Sequence, residues 1–220
     1  RVLAKVSRPE VALQFLNPAP TAILDDLLTQ GIITHEQHAL ALITPMADDL
    51  TAEADSGGHT DNRAAPVLIP QLIALRDRIV ADRDFVGMVR IGAAGGLSSP
   101  AAIAAAFAAG AAYVVTGTIN QACIEAGTSE FVRDLLSTVG ATDVTMAPSS
   151  DMFEAGVKVQ VLKRGTLFAM RANQLYTLYK SCDSIDDIDD KTRANIERTI
   201  FQMPLEEVWQ ACVSFFSTRD

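Results

Sequence analysis

Basic clusters, cysteines and long apolar segments are all scarce in this sequence. The 18 Lys and Arg residues are outnumbered by 27 Asp and Glu residues, and no basic run is longer than Lys163-Arg164. The net charge of −9 excludes the basic surface that binds a nucleic-acid backbone. The longest apolar stretch, residues 101–116, is mostly alanine and is interrupted by Gly110, so it predicts no membrane span. We also expect no signal peptide.

Cysteine is too rare and too widely spaced to organise the fold. The chain has an odd number of cysteines, which argues against a disulfide framework. The wide spacing of Cys123, Cys182 and Cys212 gives no pattern of metal ligands. We therefore expect no metal site and a reducing, cytoplasmic location. Neither nucleic acid nor a membrane is an expected partner.

The sequence does have the content of a packed globular protein. Its 220 residues are 49% hydrophobic, which is enough for one sizeable buried core. The chain begins at Arg1, without a methionine and directly in a strand-like run. We therefore expect it to begin inside a longer polypeptide.

Short apolar segments alternate with helical patterns over residues 1–140. Predicted strands cover residues 2–6, 50–54, 86–91 and 112–115. Predicted helices cover residues 11–16, 70–80 and 100–109, and residues 18–45 indicate an inserted helical hairpin. Within this hairpin, Thr34 and Gln37 have the spacing of a capping box. The alternation predicts an α/β fold, a parallel sheet with helical crossovers. Residues 141–220 differ in pattern and are predicted to form a mainly helical extension, with a last helix that begins at Pro204.

Two glycine-containing turns follow neighbouring predicted strands. Ala94, Gly95 and Gly96 precede a helix, where glycine lets backbone N–H groups approach a phosphate. Alone, such a pair is typical of an ordinary turn. Gly117 and Thr118 end the next strand, and in (β/α) barrels the loops after the last two strands commonly form one phosphate site. The two turns together predict phosphate binding.

Two further residues are candidates at the same edge of the sheet. His59 follows Gly57 and Gly58, which leave room for a planar ring, and imidazole exchanges a proton near neutral pH. We predict that His59 lies at a cofactor or substrate, although a histidine that caps the turn is the alternative. Lys5, near the end of the first strand, could reach a cofactor or an anionic intermediate, or form a salt bridge.

Four segments together resemble a known enzyme family. They are EADSGGHTDN at 53–62, GAAGG at 92–96, VTGTINQACIEAGT at 115–128 and VKVQVLKRGT at 157–166. They resemble the PfaD-type enoyl reductases of polyunsaturated fatty acid synthases and the trans-acting enoyl reductases of polyketide synthases. More distantly, the chain is similar to nitronate monooxygenases (2-nitropropane dioxygenases) and bacterial flavin enoyl reductases. Their Glu-Ala-Gly-Gly-His motif matches Glu53 and residues 57–59, apart from Asp55-Ser56.

The resemblance implies a TIM-type (β/α)8 barrel that binds FMN. It implies that Gly95-Gly96 and Gly117-Thr118 bind the FMN phosphate and that His59 lies beside the isoalloxazine ring. The implied reaction is the NAD(P)H-dependent reduction of enoyl thioesters on acyl carrier protein, with other polyketide or fatty acid synthase components as partners.

By the same resemblance, the four strands are the fifth to the eighth, so the chain is expected to be the C-terminal half of the barrel. An open half-barrel exposes two strand edges and one uncovered core face. We therefore expect a fragment, or an association, such as a homo-oligomer, that replaces the missing half. Two alternatives to the enoyl reductase stay open: a nitronate monooxygenase on the same barrel, and an inactive structural piece of a megasynthase.

Overall fold

The computed structural model describes residues 2–57, 61–83 and 85–219. The chain divides into two compact units, Arg1–Ala141 and Thr142–Asp220. Each unit is built around its own cluster of buried side chains. Within the described residues, the three cysteines are free thiols, and no helix is long and apolar enough to cross a membrane.

The first unit alternates strands and helices. Its strands are β1 (Leu3–Val6), β2 (Asp49–Glu53), β3 (Arg90–Ala94) and β4 (Val114–Val115). Its helices are α1 (Pro9–Phe15), α2 (Thr21–Thr29), α3 (His35–Ala41), α4 (Ala65–Ala81), α5 (Pro100–Ala108), α6 (Thr118–Gln121) and α7 (Glu130–Ser137). The capping box predicted at Thr34 and Gln37 is confirmed, since each residue's side chain accepts a hydrogen bond from the other's backbone N–H.

The four strands form one parallel sheet in the order β1-β2-β3-β4. Every neighbouring pair is parallel, with Leu3 opposite Asp49, Asp49 opposite Arg90, and Ala94 opposite Val115. The predicted parallel sheet is therefore confirmed, with the first and last strands at its two edges. Each connection contains at least one helix, as parallel pairing requires.

One face of this sheet packs against helices. Leu50, Ala52, Ile91 and Ala93 alternate with polar or small residues along β2 and β3, and all four are almost fully buried. Leu68, Ile69 and Leu72 of α4 join them in the core, together with residues of α1 and α5. The period of two along the strands and the helical spacing in α4 thus bring two apolar surfaces together.

The opposite face carries polar side chains. Thr51 and Tyr113 share a hydrogen bond of 2.8 Å between their hydroxyl oxygens. The Tyr113 ring lies over Gly92, so close that a Cβ at position 92 would collide with the ring carbons. Arg90 lies 5.7 Å from the centre of the same ring. Gly92 is therefore a packing requirement of the polar face.

This contact gives a test of the fold. Gly92→Ala is expected to lower the free energy of unfolding by about 1–3 kcal/mol, because the Tyr113 ring must shift and its hydrogen bond with Thr51 is disturbed. Urea unfolding would measure the change. Gly127→Ala is the matched control, since within the described residues a Cβ there meets no atom within 4 Å. Equal stability of the two variants would contradict the packing role of Gly92.

The second unit begins with a β-hairpin that the sequence analysis did not predict. Strands β5 (Val144–Pro148) and β6 (Lys158–Leu162) pair antiparallel, and Ala147 is buried against Ala169 and Ala172 of α8 (Phe168–Ser181). The unit continues with α9 (Asp190–Ile196), a π-helical turn (Glu197–Phe201) and α10 (Leu205–Ser217). The last helix thus begins directly after Pro204, as predicted.

Two boundaries predicted in the first unit were wrong. The strand predicted at 86–91 is β3 at Arg90–Ala94, because Gly92 to Ala94, beyond the predicted end of the strand, continue the sheet while Val86 and Met88 are exposed. The helix predicted to start at Pro70 starts at Ala65 instead, and Pro70 lies inside it. Proline removes one helical hydrogen bond there, and the burial of the neighbouring core side chains offsets that loss.

Candidate functional site

The predicted site residues lie at or just after the carboxyl ends of the strands. Because the strands are parallel, these ends all lie on the same side of the sheet. Glu53, the last residue of β2, is opposite Ala94, the last residue of β3, and Ala94 is opposite Val115, the last residue of β4. The loops after Glu53, Ala94 and Val115 therefore start side by side. The sheet brings together the two glycine-containing turns that are separated by about twenty residues in the sequence.

The turn after β3 contains two glycines with different roles. Gly95 has a φ of +96°, and a Cβ there would collide with the carbonyl oxygen of Ala54. The same segment is fixed by a hydrogen bond of 2.9 Å from the Ala54 N–H to the Ala94 carbonyl. Gly96 has a φ of +68° but is exposed, and a Cβ there would lie 3.8 Å from its nearest neighbour, the Asp55 carbonyl oxygen. The positive φ disfavours a side chain at both positions, but a neighbouring carbonyl also closes in Gly95, whereas Gly96 faces open space.

The turn after β4 is held by a side chain. Asn120 donates its backbone N–H to the Gly117 carbonyl at 2.9 Å and its side-chain amide to the Thr116 carbonyl at 3.0 Å. Gly117 has a φ of −116°, outside the left-handed region, and within the described residues a Cβ there would meet no atom within 4 Å. Gly117 and Thr118 are both exposed. No contact in the described part of the protein therefore requires a glycine at 117.

Some backbone donors in these turns are not used by the described residues. Among those residues, the N–H groups of Gly95, Gly96 and Gly117 donate no hydrogen bond to a backbone carbonyl. Such donors need a partner, and in loops that follow parallel strands this partner is commonly water or a ligand anion. The two turns therefore have the donors, and at Gly96 and Gly117 the room, for an anionic group.

His59 and Gly58 lie outside the described residues, and Gly57 is the exposed last described residue before them. Hydrogen bonds and an ion pair hold the described residues at the ends of this loop. The Asp55 N–H donates to the Arg63 carbonyl at 2.9 Å. The Asp61 carboxylate accepts a hydrogen bond of 2.5 Å from the Ser7 hydroxyl and lies 3.2 Å from the Arg8 guanidinium. The loop that carries His59 is therefore anchored to the loop that follows β1.

Lys5 forms the salt bridge that the sequence analysis left open as an alternative. Its Nζ atom is 2.5 Å from Oε1 of Glu53, with Lys5 half exposed and Glu53 only 15% exposed. Lysine carries three donors, so this ion pair leaves others available. The pair places one cation and one carboxylate at the same edge as the glycine-containing turns.

A second ion pair of the sheet lies at the opposite, amino-terminal ends of its strands. Arg90 donates to both carboxylate oxygens of Asp49, at 2.7 and 3.0 Å, at the amino-terminal ends of β2 and β3. This hydrogen bonding raises the pKa of Arg90 above its ordinary value. Arginine is charged at all physiological pH values, so the pair orients side chains and does not exchange protons. Within the described residues, no group of three or more His, Cys, Asp or Glu side chains could hold a metal ion.

The architecture and the site together define an α/β protein with a candidate anion site at the carboxyl ends of the strands of a parallel sheet.

The whole chain is 48% identical to a segment of one of the polyunsaturated fatty acid synthase subunits from Thraustochytrium and covers 15% of that protein. It is 44% identical to the polyketide biosynthesis protein PksE from Bacillus subtilis, again over the whole chain, and covers 29% of it.

A solved structure is similar over nearly the whole chain. It is the enoyl reductase domain of MlnA from the macrolactin biosynthesis cluster of Bacillus amyloliquefaciens, with a TM-score of 0.91 and 41% identity over 97% of this chain and 48% of that one. Residues 182–220 match the inserted helical domain of [acyl-carrier-protein] S-malonyltransferases. The synthase subunit, PksE and the MlnA domain confirm the predicted resemblance to the enoyl reductases of polyunsaturated fatty acid and polyketide synthases. The chain spans less than half of the length of each of these three relatives.

Sequence reasoning missed two elements of this region. The hydrogen bond between Thr51 and Tyr113 and the ties of Asp61 to Ser7 and Arg8 join residues that are far apart in the sequence. Neither leaves a local pattern. Gly92 carried a signal, because a lone glycine inside a strand indicates the close approach of another group.

Proposed function

We propose that the chain is the FMN-binding half of an enoyl reductase, with β1 to β4 as the fifth to eighth strands of a (β/α)8 barrel. The observation that supports this best is the pair of neighbouring turns with unused N–H groups at Gly95, Gly96 and Gly117. In (β/α) barrels the loops after the last two strands commonly bind a phosphate. On this proposal, residues outside the chain complete the barrel.

The residues of the two turns fit a phosphate group. A phosphate needs several donors that converge on its oxygens, and backbone N–H groups in glycine-containing turns supply them without side-chain bulk. A side chain at Gly117 would extend into space that no described residue fills. The Thr118 hydroxyl, exposed at the start of α6, would add one further donor.

FMN, once bound and reduced by NAD(P)H, would supply the hydride for the β-carbon of the enoyl group. The residues of the chain itself would bind the cofactor, orient the substrate and supply the proton. Gly57, Gly58 and Ala94 would line the cofactor with little side-chain bulk, and His59 would donate a proton or a hydrogen bond to the substrate. Lys5, oriented by Glu53, would present a positive charge to the cofactor or to the anion that develops on the thioester.

The proposed substrate is an enoyl thioester carried by an acyl carrier protein. Support comes from the relatives, which are subunits of polyunsaturated fatty acid synthases, polyketide biosynthesis proteins and an enoyl reductase domain. Other synthase components would be the partners, in a cytoplasmic setting.

A steady-state comparison tests the proposal against the two alternatives. A purified protein that carries these residues together with those that complete the proposed barrel is expected, without oxygen, to sustain NAD(P)H consumption only when a 2-enoyl thioester is added, because the double bond is then the electron acceptor. The matched control is the saturated thioester of the same length, which should give no consumption. Oxygen uptake driven by a nitronate, without enoyl-dependent turnover, would favour the nitronate monooxygenase instead. A protein that binds no flavin would favour the structural piece.

A further inference from the structure

The second unit contains an apolar cavity of about 330 Å³. Its walls come from the end of α8, residues 182–188, the π-helical turn and α10. Ile196 and Leu205 are buried and form the floor. Tyr179 and Trp209 are 49% and 58% exposed and lie at the rim. The cavity is therefore open to solvent through an apolar mouth.

The cavity offers almost no polar recognition. Ser184 is one of its few polar lining residues, and its hydroxyl accepts a hydrogen bond from the Asp186 N–H at 3.1 Å. The Ser184 N–H donates to the Asp187 carboxylate at 2.8 Å. These groups cap the short helical turn Ile185–Asp187 and are occupied by it. A ligand that fits such walls is one that is bound through apolar contact alone.

The walls are fixed by hydrogen bonds and ion pairs. Glu197, in the π-helical turn, accepts a hydrogen bond of 2.9 Å from the Leu205 N–H at the start of α10. Arg193 lies 3.5 Å from Glu197 and 2.5 Å from Glu206, which joins α9 to the same two elements. An open apolar cavity of this volume, between walls that are held in place, has the properties of a small-molecule site.

We propose that this cavity binds the aliphatic chain of a fatty acyl group. The proposal rests on the proposed function, since the acyl group is that of the thioester substrate. The cavity volume lies in the range of small-molecule sites, about 300–1,000 Å³. Each buried methylene group contributes about 0.8 kcal/mol, so an alkyl chain needs no polar partner to bind.

The charge around the mouth restricts the ligand further. Asp183 lines the cavity, and Asp186, Asp187, Asp189 and Asp190 follow in the same acidic segment. A carboxylate held near these side chains would be repelled, whereas an uncharged thioester would not. Lys191 and Arg193 follow the segment but leave it acidic, so we expect the site to favour a neutral acyl ester over the free fatty acid of the same chain length.

Trp209 provides the readout, because it is the only tryptophan in the sequence and lies at the rim. Titration of the full chain with S-dodecanoyl-N-acetylcysteamine, kept below its micelle concentration, is expected to give a saturable change in fluorescence. Dodecanoate should bind more weakly, and the difference should shrink as salt is added, because salt screens the acidic segment.

A matched pair of variants tests the location. Val208→Phe places a larger side chain in the cavity and is expected to weaken binding by about tenfold, which corresponds to about two displaced methylene groups. Val213→Phe makes the same substitution on the same helix, at an exposed position outside the lining, and should bind as the unmodified chain does. Circular dichroism would show that both variants keep their helices.

Three results would overturn the proposal: no saturable change, equal loss in the two variants, or a change that follows self-association in size-exclusion chromatography. The saturated thioester undergoes no reduction, and its binding requires neither flavin nor nicotinamide. The two experiments therefore have separate readouts, and a failure of acyl binding at the cavity can be distinguished from a failure of the enoyl-dependent NAD(P)H assay.

Discussion

Replacing Gly117 by valine is expected to abolish FMN retention while leaving the protein folded. Within the described residues a Cβ at 117 meets no atom within 4 Å, so the added side chain would encounter the phosphate rather than the protein. The turn itself is held by Asn120, which stays in place. The measurement is the ratio of visible flavin absorbance to protein after gel filtration, in a protein that carries these residues together with those that complete the proposed barrel.

Gly127→Val is the control for this experiment. A Cβ at Gly127 would likewise meet open space among the described residues, and Gly127 lies outside the two glycine-containing turns. This control should retain its flavin. Gly95→Val would be a poor test, because its φ of +96° and the adjacent Ala54 carbonyl disfavour any side chain, with or without a ligand. Normal flavin content in Gly117→Val would remove the turn after β4 from the phosphate site and contradict a site that is shared by the two turns.

The second large effect is expected at His59. His59→Ala should keep the flavin and the fold but lower enoyl-dependent turnover by about 10²-fold or more, the range for the loss of general acid assistance. Pre-steady-state kinetics would place the loss in the step between the reduced flavin and the enoyl substrate. Reduction of the flavin by NAD(P)H should be much less affected.

His35→Ala is the matched control for His59, because His35 is an exposed residue at the start of α3, outside the candidate site. It should turn over at the rate of the unmodified enzyme. If His59→Ala did the same, His59 would be a histidine that caps a loop, and another group or solvent would have to supply the proton.

The parallel sheet could be predicted because its signals are local. The short apolar runs and the capping box at Thr34 each act within a few residues, and the parallel sheet and the capping box that they predict are both confirmed. The glycine-containing turns could be located for the same reason, since Gly95 and Gly96 both adopt positive φ values directly after β3.

The character of the sheet's second face could not be predicted in this way. An open half-barrel was expected to expose an uncovered core face, but this face carries the pairs Lys5–Glu53 and Asp49–Arg90 and the Thr51–Tyr113 hydrogen bond. These pairs join different strands, so they depend on register, which no single segment specifies. Because this face is polar, it favours self-association of the chain less than an exposed apolar face would.

The cavity of the second unit could not be predicted from the sequence either. Its lining residues lie on α8, residues 182–188, the π-helical turn and α10, and only tertiary packing brings them together. The last helix could be predicted from its pattern, but a helical pattern does not show whether one of its faces packs closely or borders a cavity.

An anaerobic visible spectrum tests the central claim most directly. The protein, together with the residues that complete the proposed barrel, is expected to carry FMN that loses its absorbance when one equivalent of NAD(P)H is added and regains it, without oxygen, when one equivalent of a 2-enoyl thioester follows. The saturated thioester should leave the spectrum unchanged. Recovery of the absorbance only after oxygen is admitted, in the presence of the enoyl thioester, would contradict the assignment as an enoyl reductase.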